Sequence, residues 1–380
     1  APIRRDGSYL LTGGLGGLGL SVARWLAAQG AGQLVLLGRS GAASEAQKAA
    51  VAALEAQGAR VIAASVDVAD RAAVQQILAA VDASGLPLAG IVHAAVALDD
   101  GLLAQQTPAR FRSVLAAKAL GALHLHELTR DRPLDFFVMY SSMAGVLGAP
   151  GQGNYSAASA FLDAFAHHRR ALGLPALSID WGSFSEVGLA VAQDNRGARL
   201  NAQGTSSLTP AQGLAALERA LESGWTQIGV MPLDARKWAD SYPTAAASPT
   251  FAPLLAARPA GAASEAEEAG VLVRLAQVEV ADRTELLHEL VRAEVSRVLR
   301  LPEGRLDMSG PLVRVGLDSL MGLELKHRLQ RATTVDVPVP RLLGGMTGTE
   351  LVRFLHEQIP LLPSAPVAPA QNSTWLDTEL

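Results

Sequence analysis

A tyrosine, a serine and a lysine, held together, suit the reduction of a carbonyl. Hydride delivered to a ketone leaves negative charge on oxygen, so an acid must supply a proton there. A free tyrosine, with a pKa of about 10, is a poor acid partner unless a nearby cation favours the phenolate. A second donor must orient the carbonyl. The stretch "MYSSMAGVLGAPGQGNYSAAS", residues 139–159, offers two of these parts. Ser142 closes an apolar run, and Tyr155 follows a loop of glycine and proline. Lys118 lies in an alanine-rich helical run where a charge is otherwise out of place.

The elements that must position them are legible along the first 240 residues. Strands are predicted at 8–13, in "QLVLLGRSG", "RVIAASVDV", "AGIVHAAV", "LDFFVMYSS", "PALSIDWG" and "TQIGVMPLD". Helical patterns alternate with them, including one long helix, "ARFRSVLAAKALGALHLHELT", and one opening at Tyr155. Short apolar strands between helices predict an α/β fold, a doubly wound parallel sheet of the Rossmann kind covered on both faces. Ser142 then sits at the carboxyl edge of the fifth strand, where open sheets bind ligands.

The first strand runs into "LLTGGLGGLGLSVARWLA". Gly14, Gly16 and Gly19 fall between strand and helix, the arrangement that lets a pyrophosphate approach the backbone and the helix N-terminus. Thr12 and Leu15 share this loop. The second strand ends at Arg39-Ser40, not at an acidic residue. An arginine there suits the 2′-phosphate of NADPH; the plainer reading is a solvated strand-end charge. Asp67-Val68 ends the third strand, either beside an adenine or as an ordinary turn aspartate. His93-Ala94 ends the fourth, beside the expected nicotinamide, and a histidine there is more often packed than a proton relay. Trp181-Gly182 is read as shaping a substrate pocket, or as core. His167 and His168 have no third partner in sequence, so no metal is expected.

Residues 241–282, rich in Ala, Pro, Ser and Glu, read as a linker. Residues 283–358 form an all-helical pattern, and 359–380 a Pro/Ala-rich tail. In "VGLDSLMGLELKHRLQ", Ser319 opens a helix, a suitable place for a phosphate ester because free backbone N–H groups point there. An N-cap serine is the bland alternative. The net charge of −4 gives no electrostatic case for nucleic acid. No run reaches the roughly 18 apolar residues of a membrane helix. The absence of cysteine fits a reducing, cytoplasmic compartment. The start, lacking methionine or leader, suggests a fragment of something longer.

The stretches "YLLTGGLGGLGL", "LLGRSG", "HAAVALDDGLL", "AAKALGALHL", "FVMYSSMAGVLGAPGQGNY" and "AFLDAFAHHRRALGLPALSIDWG" together resemble the ketoreductase of a modular (type I) polyketide synthase, within the short-chain dehydrogenase superfamily. Residues 284–358 resemble an acyl carrier protein, an all-α helical bundle. The resemblance implies NADPH-dependent reduction of a β-ketoacyl thioester, with Tyr155, Ser142 and Lys118 catalytic and Ser141 structural. It implies 4′-phosphopantetheine on Ser319, installed by a phosphopantetheinyl transferase, and other polyketide synthase domains as partners. It also implies a non-catalytic structural subdomain upstream.

One position departs from the family pattern. Four residues after the tyrosine such enzymes carry asparagine, and here stands Ser159. That keeps alive a weak or silent reductase serving a carrier and interaction module. A fatty-acid synthase fragment is a close alternative. Leu98-Asp99-Asp100 is similar to the fingerprint of reductases that give the D-configured hydroxyl, although two solvated loop charges would read the same way. Leu147 stands where the opposite class often has tryptophan, and Ala157 replaces the proline associated with epimerising members.

Overall fold

The computed structural model describes residues 2–185, 204–242, 246, 248–252, 255, 275, 278, 280–299, 301 and 306–359. The chain divides into two compact units, Ala1–Arg258 and Pro259–Leu380.

The first unit is built on seven parallel strands: β1 Ser8–Thr12, β2 Gln33–Gly38, β3 Arg60–Ser65, β4 Leu88–His93, β5 Phe136–Tyr140, β6 Leu177–Trp181 and β7 Gln227–Val230. Their order is β3-β2-β1-β4-β5-β6-β7. The chain reverses its direction of winding between β1 and β4, which opens a crevice at their carboxyl ends. Thr12 pairs with Leu37 on one side and His93 on the other, so all three strands end level at that crevice. β1 and β4 are buried along their whole length, as expected of central parallel strands.

Helices cover both faces. On one side α1 Gly17–Ala28, α2 Glu45–Ala56 and α8 Pro210–Ser223 pack through Val22, Leu26, Leu54 and Leu217. On the other lie α3 Arg71–Ala83, α5 Gly121–Thr129 and α7 Gly153–Ala171, through Val74, Leu78, Leu125, Leu162 and Phe165. Trp181 belongs to the first of these cores, its ring 5.3 Å from that of Tyr140 and 5.5 Å from that of Phe184. The core reading of Trp181 is thus the observed one.

Two elements differ from expectation. The long helix is three pieces: α4 Pro108–Leu115, a π turn Ala116–Leu120, and α5. The glycine-rich stretch after β5 contains a short helix, α6 Met143–Leu147, capped by the Ser142 side chain. The first unit also runs past residue 240. After α9 Ala235–Ser241, Phe251 folds back onto Trp238, ring centres 5.1 Å apart. This aromatic contact draws the start of the expected linker into the unit. Most of that linker, and the tail from residue 360, lie outside the described residues.

The second unit holds α10 Val280–Leu299, α11 Ser319–Thr333, α12 Val339–Leu343 and α13 Gly348–Gln358. They close on a core of their own that includes Leu287, Val291, Leu312, Leu325, Leu329, Leu351 and Leu355. A capping box between Thr347 and Glu350 starts α13.

Candidate active site

Lys118 lies in the π turn. A π turn widens the helix by one residue and is common at functional sites. Here it presents a lysine that is 1% exposed. The Lys118 ammonium donates to Ser159 Oγ at 3.0 Å and stands 4.3 Å from the centre of the Tyr155 ring. A buried ammonium is costly without partners, and these two supply them.

The turn is held from behind by His93, which is 0% exposed. Thr12 Oγ1 accepts the backbone N–H groups of Ala94 and Ala95, both at 3.1 Å. Its own proton is then free to go to His93 Nδ1, 2.8 Å away. That leaves the ring proton on Nε2, which donates to the Lys118 carbonyl at 2.8 Å. Burial pushes the His93 pKa down to about 4, so the ring is neutral. Both nitrogens are committed inside the protein. The His93 side chain is packed and sets the lysine turn.

Ser142 and Tyr155 come from the two ends of one short connection. Ser142 follows β5 and accepts the Ala144 N–H at 3.2 Å, the N-cap of α6. Tyr155 is the third residue of α7, which starts two residues earlier than expected. α6 approaches α7 closely at Gly145, where a Cβ would meet Ala160 N at 3.0 Å and Ser159 Cβ at 3.2 Å. Ser141 donates to the Ser159 carbonyl at 3.0 Å, in keeping with a structural role. Ser159 thus takes a hydrogen bond from the lysine on its side chain and one from Ser141 on its backbone. A Ser159→Ala chain leaves the buried ammonium without that oxygen. A hydrogen bond to a charged group is worth about 1.5–3 kcal/mol, so kcat/KM is expected to fall about 10–100-fold in steady-state assays.

At the other end of the crevice the glycine loop is shaped as a phosphate cradle. Gly13 has φ +66°, and a Cβ there would meet the Ala94 carbonyl at 2.7 Å. A Cβ at Gly19 would lie 2.1 Å from the Gly13 carbonyl, and one at Gly14 3.1 Å from Leu36 Cα. These three pack loop against sheet, while Gly16, exposed, N-caps α1 with no side-chain cap bond. The first N–H groups of α1 are accordingly open to an anion. Gly13 is a residue that the motif spacing passes over; the doublet Gly13-Gly14 directly after Thr12 is its signal. The backbone of Leu15 accepts Gln47 Nε2 at 3.1 Å, tying the loop to α2.

Arg39 and Ser40 are exposed at the end of β2, and the Arg39 carbonyl accepts Ser65 Oγ at 2.7 Å. Asp67 Oδ1 accepts the Ala69 N–H at 2.9 Å, a turn aspartate in geometry. Val68 is buried, packed where a Cβ on Gly121 would stand 2.7 Å from its Cγ1. Leu98, Asp99 and Asp100 follow β4, and their segment is bonded to the turn before α7: Gly101 N–H donates to the Gly151 carbonyl at 2.7 Å.

Beneath the Ser141–Ser159 bond lies a pair of carboxyl groups. Asp163 on α7 accepts Ser178 Oγ at 2.7 Å, and Asp180 on β6 accepts Gln227 Nε2 at 2.8 Å. Burial, then the neighbouring Asp163, push the Asp180 pKa up to about 7. Asp180 keeps its proton in the folded chain while the unfolded chain has lost it, so stability falls as pH rises from about 4 to about 7. Melting temperatures of an Asp180→Asn chain are expected to match wild type near pH 4 and exceed it at pH 8. A gap independent of pH assigns no titration to this pair.

In the second unit, α11 begins at Ser319, but its cap is Asp318: Met321 N–H donates to Asp318 Oδ1 at 2.7 Å. The capping role that would account for a serine here belongs to its neighbour. Among the described residues no group of three or more His, Asp or Glu side chains is placed to hold a metal, and no helix is long and apolar enough to cross a membrane.

Family models match in two places: KR domain over residues 7–186, and phosphopantetheine attachment site over 289–355. A phenolphthiocerol/phthiocerol polyketide synthase of Mycobacterium tuberculosis is 38% identical over 380 residues, all of this chain and 17% of that protein. The spectinabilin polyketide synthase system protein NorB of Streptomyces orinoci is 41% identical over 373 residues, which is 95% of this chain and again 17% of that protein. The chain thus spans about a sixth of these relatives. A solved A1-type ketoreductase superposes with TM-score 0.60 at 42% identity, over 63% of this chain and 50% of that one. The chain carries a KR domain followed by a phosphopantetheine attachment site, and its homologues are modular polyketide synthases.

Proposed function

We propose that the first unit reduces a β-ketoacyl thioester to a β-hydroxyacyl thioester, with NADPH as reductant. The growing chain rides on 4′-phosphopantetheine at Ser319 of this carrier or of a neighbouring copy. The observation that carries this reading is the placement of Lys118, 3.0 Å from Ser159 Oγ and 4.3 Å from the Tyr155 ring centre. When bound, the nicotinamide supplies the hydride. Tyr155 gives the proton to the substrate oxygen. Lys118 stabilises the phenolate left behind, and Ser142 donates to the carbonyl and orients it. Ser159 keeps the ammonium in place. The glycine loop and α1 N-terminus suit the pyrophosphate, and Arg39 suits a 2′-phosphate.

Partners in this reading are other polyketide synthase domains, the acyl thioester, and a phosphopantetheinyl transferase that loads Ser319. The linker between the units makes delivery effectively intramolecular. The compartment is the cytoplasm, and the product carries the D-configured hydroxyl implied by Leu98-Asp99-Asp100. The rival is a carrier module with a weak reductase, favoured by Ser159 alone, because a short hydroxyl replaces an amide beside the lysine.

The two separate on turnover. NADPH oxidation with a diketide thioester, followed by absorbance, is expected in the wild-type chain and not with NADH at equal concentration. Arg39→Ala is expected to raise KM for NADPH by about 10–100-fold, the loss of one phosphate–guanidinium contact, and to leave any NADH rate unchanged. Equal use of both nucleotides by wild type removes the role given to Arg39. No turnover above background favours the rival.

A further inference from the structure

The carboxylates of Leu98-Asp99-Asp100 are engaged within the protein. Arg110, on α4, places both Nε and Nη2 2.7 Å from Asp99 Oδ1. Its Nη2 also donates to the Asp100 carbonyl. The guanidinium lies so close over the backbone that a Cβ on Gly101 would meet Nη1 at 2.6 Å and Nη2 at 2.9 Å. Any larger residue at 101 displaces the arginine.

The other side of the segment is held by the turn that delivers Tyr155. Gln152 Nε2 donates to Asp100 Oδ2 at 2.9 Å. Asn154, 0% exposed, donates to the Asp99 carbonyl at 2.8 Å, and its Oδ1 accepts the Tyr155 N–H at 2.8 Å. One amide side chain therefore links Asp99 directly to the backbone of the tyrosine. The Arg110 contact is charge-assisted, with two N–H groups converging on one carboxylate oxygen, and such bonds are stronger than neutral ones.

We propose that Arg110 is a positioning residue for stereochemistry, clamping residues 98–101 against the Gln152–Tyr155 turn so that the approach of the acyl chain to Tyr155 is fixed. The segment acts through the place its backbone is held in, and its aspartates serve that purpose by binding Arg110 and Gln152. Asn154 couples the clamp to the acid; Arg110 locks it to the helix whose next turn carries Lys118.

This inference rests on the ketoreductase reading, and the test separates the two. The full chain and its Arg110→Ala, Arg110→Lys and Asp99→Asn variants are assayed with a β-ketoacyl N-acetylcysteamine thioester and NADPH, products being resolved by chiral chromatography. Arg132→Ala, which breaks the exposed Arg132–Asp82 pair elsewhere on the domain, is the control. Arg110→Ala is expected to raise the minor hydroxyl isomer about tenfold and KM several-fold, with kcat within about threefold, because loss of one fixed contact changes discrimination more than chemistry. Asp99→Asn, which keeps an acceptor for Arg110, and Arg110→Lys, which keeps the charge without the fork, should fall in between. Hydrogen exchange of residues 99–103, read by mass spectrometry, should quicken about tenfold in Arg110→Ala and not in Arg132→Ala, an opening of the Gly101–Gly151 bond. Isomer ratio or exchange matching the Arg132→Ala control overturns the proposal. A wild-type chain without turnover sinks the ketoreductase reading and the stereochemical role with it, while exchange still reports whether the clamp exists.

Discussion

A Tyr155→Phe chain is expected to lose reductase turnover by about 10²–10⁴-fold, the usual contribution of a positioned general acid. It should still bind nucleotide and melt like wild type. The change is a clean one in this site. The ring that stands 4.3 Å from the Lys118 ammonium is kept, so the cation–π contact and the packing survive. Only the hydroxyl proposed to protonate the substrate is removed. The edge proposed for the nucleotide, built on the glycine loop after β1, belongs to a different strand end and is untouched. The checks are NADPH oxidation at saturating thioester, nucleotide titration and thermal melting in parallel. A variant within tenfold of wild type places the acid elsewhere; one that no longer melts cooperatively says that the hydroxyl is structural.

The second large effect is all-or-none. After incubation with a promiscuous phosphopantetheinyl transferase and coenzyme A, the wild-type chain is expected to gain the mass of one pantetheine arm, and Ser319→Ala none. The α11 N-terminus should tolerate the change, because Asp318 makes the cap bond to Met321 and alanine is a good first-turn residue. Loss of the arm is then loss of a nucleophile and not of a helix. Turnover on a free thioester should be the same in both chains, which ties the defect to delivery. Mass gain retained by Ser319→Ala puts the attachment point on another hydroxyl.

Much of the fold was legible because it rests on local pattern. Buried parallel strands show as short apolar runs, and β1 to β7 fall where such runs do. Ser142, Tyr155 and Lys118 were legible as residue types with a shared chemistry; Tyr155 lies on the expected helix, whereas Ser142 caps α6 and Lys118 sits in the π turn. What the sequence hid is what depends on pairs far apart in the chain or on elements too short for periodicity. α6 has five residues, fewer than two turns, inside a stretch dominated by glycine. The π turn is invisible because apolar residues on either side of it still recur at helical spacing. The Thr12–His93–Lys118 chain joins residues 81 and 25 positions apart, and nothing in either neighbourhood announces it. Arg110 looks like any charge in the first turn of a helix until Asp99 is seen beside it. Gly13 was missed for a different reason: the motif counts three glycines, and the one with positive φ precedes them.

The π turn at Ala116–Leu120 makes this stretch intolerant of a change in length. Val114 before it and Ala122 and Leu125 after it all face the interior, so both flanks are fixed by packing and the extra residue between them is absorbed in the widened turn. Deleting one residue there restores a regular α-helix, in which each residue turns about 100°. The packed flanks then keep their places, but the widened turn that presents Lys118 is gone and its ammonium swings off the tyrosine. Point substitutions along this helix are graded in their effects, but a single-codon deletion at its middle removes the bulge on which the lysine stands.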